Sequence, residues 1–188
     1  MAVEVFEKRK IEPITERRNA KMIIRDAVKS EYQYLRELRL KAYEEHAAKI
    51  SIPHWEALKS SILGDNDSVP GIERIVAEVD GQIVGSVVLF PAKIKAYQDF
   101  ETDQLEFPEL RMLAITPEAR GKGVATSLIR ECMKRSKEQG YIAMGLHTAD
   151  FMNDAMQLYT NLGFKRLPEF DFEPANDGIL VKAFQIDF

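Results

Sequence analysis

The stretch from Leu110 to Ala125 holds the densest chemical potential in the chain. A β-rich run ends at Ile115, Thr116-Pro117 breaks it, and Arg120-Gly121-Lys122-Gly123-Val124-Ala125 leads into a helical pattern. Two glycines bracketing a lysine let the backbone turn where side chains would clash. The amide hydrogens of that turn and of the helix start can converge on one concave point. With the positive helix end behind them they suit an anion, a diphosphate in particular. The dipole contributes only about 0.3–1 kcal/mol at an exposed end, so direct amide bonds must supply most of the affinity. The pattern is neither G-x-G-x-x-G nor G-x-x-x-x-G-K-[ST]. Taken alone, it equally fits a plain glycine-rich turn entering a helix.

A second block lies downstream, Ala155-Met156-Gln157-Leu158-Tyr159-Thr160-Asn161-Leu162-Gly163-Phe164. Together, L-x-I-x-P-x-x-R-G-K-G-V-A and L-Y-x-x-L-G-F resemble the GNAT superfamily of N-acetyltransferases, which use acetyl-CoA as co-substrate. The two motifs span residues 110–164. The resemblance implies an α/β (α+β) fold, a mixed, mostly antiparallel sheet with a splayed parallel pair of central strands flanked by helices. It also implies that Arg120, Gly121, Lys122, Gly123, Val124 and Ala125, with Thr126 in the first turn, hold the pyrophosphate. The backbone of Leu113, Ala114 and Ile115 would pair with the pantetheine arm as if it were an added strand.

The implied reaction is direct attack of an amine on the thioester, with no covalent enzyme intermediate and no metal. Tyr159 falls where the family's catalytic tyrosine lies. A phenol near pKa 10 can donate to a thiolate whose conjugate acid is near 8.5. Met156, Tyr159 and Leu162 also fit the buried face of a short helix. Glu109 stands where many members place a glutamate acting as base directly or through water, and a solvated strand-edge carboxylate fits it as well. Alternation places Glu109, Arg111, Leu113 and Ile115 on one strand face unless a bulge intervenes. His147 is a second base candidate, or a satisfied structural histidine. The oxyanion donor is expected to be a backbone N–H near Leu113–Ile115. Asn153 is one position late for the family's asparagine and reads as a helix cap. Cys132 sits on an apolar stripe and is set aside as a nucleophile.

The acceptor is less legible. Tyr43, Glu44, Glu45, His46 and Trp55, then Glu169, Phe170, Asp171 and Glu173, occupy the regions where family members bind it. Carboxylates beside aromatics suit a cationic amine, and an acidic solvated loop fits them too. A small-molecule primary amine is the leading acceptor, a peptide or protein amine the second. A non-catalytic acyl-CoA-binding module is the reading from another class.

Composition bounds the rest. The chain has 188 residues, one domain's worth. Residues 1–20 form a charged extension with a short strand expected at Val3–Phe6, and residues 21–188 the acetyltransferase domain. The net charge of −4 argues against a nucleic-acid partner. A lone cysteine excludes an internal disulfide, and with three scattered histidines cannot close a zinc site. No stretch approaches the ~18 apolar residues of a membrane span, and MAVEVFEKRKIEP is too charged for a signal peptide. No membrane partner and a cytoplasmic location are expected. A homodimer stays open.

Periodicity supplies the positioning elements. Strands are predicted at Met22–Arg25, Leu110–Ile115, Ile142–His147, Phe164–Leu167 and Leu180–Asp187. Glu73–Val79 and Gln82–Phe90 are predicted to form a hairpin about Asp80-Gly81, because a type I′ turn needs positive φ twice. Residues 91–105 read as a polar connection. Helices are predicted over residues 28–47, with Tyr32, Leu35, Leu38, Leu40 and Ala42 as the stripe, and around Trp55, Leu58 and Ile62 up to Gly64. Two more follow at Gly123–Gln139 and Asn153–Leu162, the former capped by Gly140.

Overall fold

A computed structural model describes residues 21–64, 70–94 and 105–188. The strand predicted at Val3–Phe6 and most of the 91–105 connection lie outside the described residues.

The hairpin forms as predicted, from β2 (Glu73–Val79) and β3 (Gln82–Phe90), with Asp80 and Gly81 at φ of 51° and 77°. β1 (Met22–Asp26) pairs with β2, and β4 (Glu109–Ile115) pairs with β3. β5 (Ala143–Ala149), β6 (Lys165–Arg166) and β7 (Val181–Asp187) complete a seven-stranded sheet ordered β1-β2-β3-β4-β5-β7-β6. Every pairing is antiparallel except that of β4 with β5. Ile142, predicted to open β5, is 82% exposed and precedes the strand, and β5 continues through Thr148 to Ala149, so His147 lies inside it rather than at its end.

Among the described residues, four α-helices flank the sheet: α1 (Tyr32–Tyr43), α2 (Ile52–Leu63), α3 (Val124–Glu138) and α4 (Asn153–Asn161). The run predicted as one helix over residues 28–47 is α1 with a 3-10 turn at each end, the second being Glu44–Lys49. Leu35, Leu38 and Ala42 of its stripe are buried. So is Arg39, at 1% exposure, with Nη1 3.8 Å from Met112 Sδ. α2 starts at Ser51, whose Oγ accepts from the His54 amide at 3.3 Å.

α3 anchors the core. Val124, Leu128, Ile129 and Cys132 are buried against strand residues Ile75, Val87, Leu110 and Met144. Each large apolar side chain fully buried on that face contributes roughly 1.5–3 kcal/mol. Arg135 pins the far end to Glu73 of β2 at 2.7 Å, Glu131 of the same helix orients its guanidinium at 2.9 Å, and Gly140 follows the helix at φ 87°. The N-terminus of α3 is thereby held in one place beside the end of β4.

Two irregularities shape β4. It pairs with β5 only through Glu109↔Gly145 and Leu110↔Leu146, and beyond these the strands part. This fork is the splay the resemblance implied. Gly145 sits at its apex, where a Cβ would lie 2.6 Å from the Phe107 ring, so glycine lets that segment close over the junction. The second irregularity is a bulge. Arg111 opposes Val88 and Ala114 opposes Ser86, so Met112 and Leu113 share a single partner position, with Met112 at φ +51°. The bulge reverses the predicted parity. Leu110, Leu113 and Ile115 pack into the core beneath α3, whereas Ala114 packs against Leu38 and Ala42 of α1. Glu109 therefore does not share a face with Leu113 and Ile115.

Candidate active site

The glycine-rich loop is built for an anion by its main chain. Gly121 and Gly123 are left-handed, at φ 71° and 80°, and Lys122 between them is not. That alternation turns successive amides toward one side. Among the described residues, the amides from Gly121 to Thr126 donate no main-chain bond. The first helical bond runs from Ser127 N to Gly123 O at 3.0 Å. The Arg120 side chain is committed elsewhere, to Glu45 at 2.7 Å and to the Ala42 carbonyl at 3.4 Å. That ion pair holds the Glu45 carboxyl below its ordinary range. Of the predicted loop residues, Gly121 to Thr126 thus offer free amides, while the Arg120 guanidinium ties the loop to the end of α1.

Beside the loop, the β5-facing edge of β4 is open. Ala114 and Ile115 bond to β3, and β5 pairing has ended at Leu110. The edge at Leu113, Ala114 and Ile115 can accept an extended chain as a further strand would. Loop amides and strand edge adjoin, so one long ligand with an anionic middle can engage both. These residues fit the coenzyme that the motifs imply.

Two tyrosines pack on elements that flank the fork. Tyr43 packs beside Ala114 on the β4 side. Tyr159, at 5% exposure, meets the Phe164 ring (centroids 5.9 Å apart) and the Phe184 ring of β7 (6.1 Å) at tilted angles. Burial, reinforced by Tyr43, pushes the Tyr159 phenol well above its usual pKa. The direction of that shift favours the neutral, protonated phenol.

At the apex lies a buried ionic cluster. Glu109 Oε1 is 2.7 Å from His147 Nδ1, and Glu109 Oε2 accepts from Arg111. Arg111 also stacks on Phe90 at 4.5 Å. Burial alone would raise the Glu109 pKa, but Arg111 and His147 outweigh it and hold the carboxyl down to about 2. His147 Nε2 donates to the Phe170 carbonyl at 3.2 Å, and its ring meets Phe172 edge-on at 5.5 Å.

The sign of the resulting pH dependence follows. A carboxyl depressed in the folded state adds stability that is complete above its unfolded value of 4.5 and is lost as pH falls toward 2. Urea midpoints of the wild type are expected to drop across that window more steeply than those of Glu109→Gln. Parallel curves for the two proteins would contradict the ion pairing.

The candidate acceptor carboxylates are mostly spent within the protein. Glu45 holds Arg120, Asp171 accepts from Arg166 and from the Ala183 amide (2.8 Å), and Glu173 accepts from the Gly178 amide (2.6 Å). The sequence reading missed Asp177. Its carboxylate takes Ser51 Oγ at 3.1 Å and His54 Nδ1 at 2.8 Å, clasping the start of α2 to the connection between β6 and β7. Asn153 is the first residue of α4, and Met152 occupies the cap, so the capping reading is corrected. Cys132 is fully buried, and burial pushes its thiol up. Among the described residues, no cluster of three or more His, Cys, Asp or Glu is placed to hold a metal. None of their helices is long and apolar enough to cross a membrane.

Residues 71–166 match the family model described as an acetyltransferase (GNAT) domain. The chain is 30% identical to N-acetyltransferase 8B of Mus musculus over 136 residues, which is 72% of this chain and 54% of that protein. It is also 30% identical to the uncharacterized N-acetyltransferase YjgM of Escherichia coli K12 over 100 residues, 53% of this chain and 55% of that one. The chain thus spans about half the length of these relatives. In fold it is similar to the PaiA N-acetyltransferase of Thermoplasma acidophilum, solved in complex with coenzyme A. The TM-score is 0.64 at 18% identity, covering 89% of this chain and 99% of that one.

Proposed function

This chain belongs to the GNAT acetyltransferases, and from that premise we propose that it transfers the acetyl group of acetyl-CoA to the primary amine of a small molecule. The observation that carries the reading is the junction of two open hydrogen-bonding surfaces. The amides of Gly121 to Thr126 suit the diphosphate, and the unpaired edge of β4 at Leu113, Ala114 and Ile115 suits the arm that follows it. The arm would lead the thioester toward the fork apex.

There the amine nitrogen forms its bond to the acetyl carbon, the C–S bond breaks, and the proton that the amine gives up passes to solvent water, which also restores the proton that Tyr159 spends on sulfur. Tyr159, kept protonated by burial, would supply the hydrogen that the departing sulfur needs. A main-chain N–H near the Met112–Leu113 bulge serves the oxyanion, since the bulge frees groups from the ladder. The bond from Asp177 to Ser51 and His54 favours a small acceptor. It joins the start of α2 to the β6–β7 connection, where an extended peptide would need a free passage.

The test is release of coenzyme A thiol from acetyl-CoA across a panel of small primary amines and short peptides. Small amines are expected to have the higher kcat/KM. A preference for peptide N-termini would reassign the acceptor, and tight coenzyme binding with no turnover on any amine would make the protein a binding module.

A further inference from the structure

Glu109 and His147 are the two side chains whose chemistry suits a base, and they are bonded to each other. The Phe170 carbonyl can only accept, so Nε2 of His147 carries a hydrogen. The Glu109 carboxylate accepts from Arg111 and faces Nδ1 at 2.7 Å, so both ring nitrogens are engaged by the protein. A ring engaged at both nitrogens presents no open lone pair to an incoming amine. The carboxylate it faces is enclosed at 5% exposure and shared between the Arg111 guanidinium and the His147 ring.

We propose that Glu109 and His147 are a positioning pair. They fasten the β6–β7 connection to the fork apex, and neither serves as the proton acceptor. Besides its bonds to β6 and β7, made by Asp171 with Arg166 and the Ala183 amide and by Phe172 with Val181, the connection is clasped to α2 and to β5. Asp177 ties its outer part to Ser51 and His54 of α2, and His147 ties its inner part through the Phe170 carbonyl and the Phe172 ring. Glu109 orients the imidazole that makes the inner tie, and Arg111, stacked on Phe90, orients Glu109. The chain of contacts runs from β4 through β5 to residues 170–172, which stand beside the place where the two strands part. The kinetic consequence rests on the acetyltransferase reading, but the structural one does not.

Hydrogen–deuterium exchange on the full-length protein without ligand tests the structural part. His147→Ala is expected to speed exchange of peptides covering 168–173 at least tenfold and to leave those covering 121–128 unchanged. Glu109→Ala is expected to do the same. Glu109→Gln keeps a hydrogen-bonding partner for Nδ1 and is expected to restore most of the protection. His147→Ala leaves Arg111 with its carboxylate, so it decides the matter if Glu109→Ala fails to fold. Unchanged exchange at 168–173 in His147→Ala overturns the proposal.

With any amine the panel accepts, His147→Ala is expected to lower kcat/KM about tenfold to a hundredfold through the acceptor KM, as misplacement of a binding wall does. The acidic limb of the kcat pH profile is expected to survive in Glu109→Gln. Loss of that limb, with kcat down a hundredfold at saturating amine, would make Glu109 the base. If no amine reacts, the acetyltransferase reading fails while the exchange result still decides the positioning role.

Discussion

Replacing Tyr159 with phenylalanine is expected to lower kcat for acetyl transfer about a hundredfold or more, the ordinary consequence of losing a general acid, with coenzyme affinity little changed. Only an oxygen is removed. The ring stays packed against Phe164 and Phe184, so no cavity opens and the fold should be as stable as before. The hydroxyl is useful because burial keeps it protonated. As charge builds on sulfur, a donor already in place needs no reorganisation. Single-turnover rates at saturating amine measure this without interference from product release. An undiminished rate, with chemistry shown to limit turnover, would take Tyr159 out of the mechanism.

Gly123→Val is expected to weaken coenzyme A binding by about a hundredfold, because no other change so directly re-aims the loop amides. Nothing lies within 4 Å of a Cβ at this position, so the effect is purely one of backbone conformation. At φ 80° an L-residue is disfavoured by roughly 1–2 kcal/mol, and a β-branched one by more. If the chain relaxes, the amides of Gly123, Val124 and Ala125 turn off the common point and several bonds are lost together. The variant should still fold, since position 123 is exposed and outside the core. Calorimetric titration with coenzyme A provides the measurement, and a Kd within threefold of wild type would show that the diphosphate is held elsewhere.

Local signals carried most of the fold. Asp80-Gly81 marked the hairpin, the apolar period of Val124 to Cys132 marked α3, and Gly140 marked its end, because each reflects the geometry of a few consecutive residues. The loop at Arg120 to Ala125 was legible for the same reason. What escaped was decided by partners distant in sequence. Nothing in Leu110-Arg111-Met112-Leu113 announces a bulge, yet the register with β3 places one there and moves Glu109 to the face opposite Leu113. Arg39 reads as a surface residue on charge alone and is buried beside Met112. Glu109 and His147 looked like rival candidates for one task until the parallel pairing of β4 with β5 brought them into contact. The carboxylates near the acceptor region looked available, and several are consumed by Arg120, Arg166 and backbone amides.

Only two register pairs, with the Glu109–His147 bond beside them, join β4 to β5, so the sheet is two slabs meeting at one short seam, β1 to β4 on one side and β5, β7 and β6 on the other. A guest bonded along the free margin of β4 would act as mortar between them. At a hundredfold excess over its dissociation constant, any such guest adds about 2.7 kcal/mol to the folded state. The stiffness of this protein is then partly borrowed from the molecule it carries.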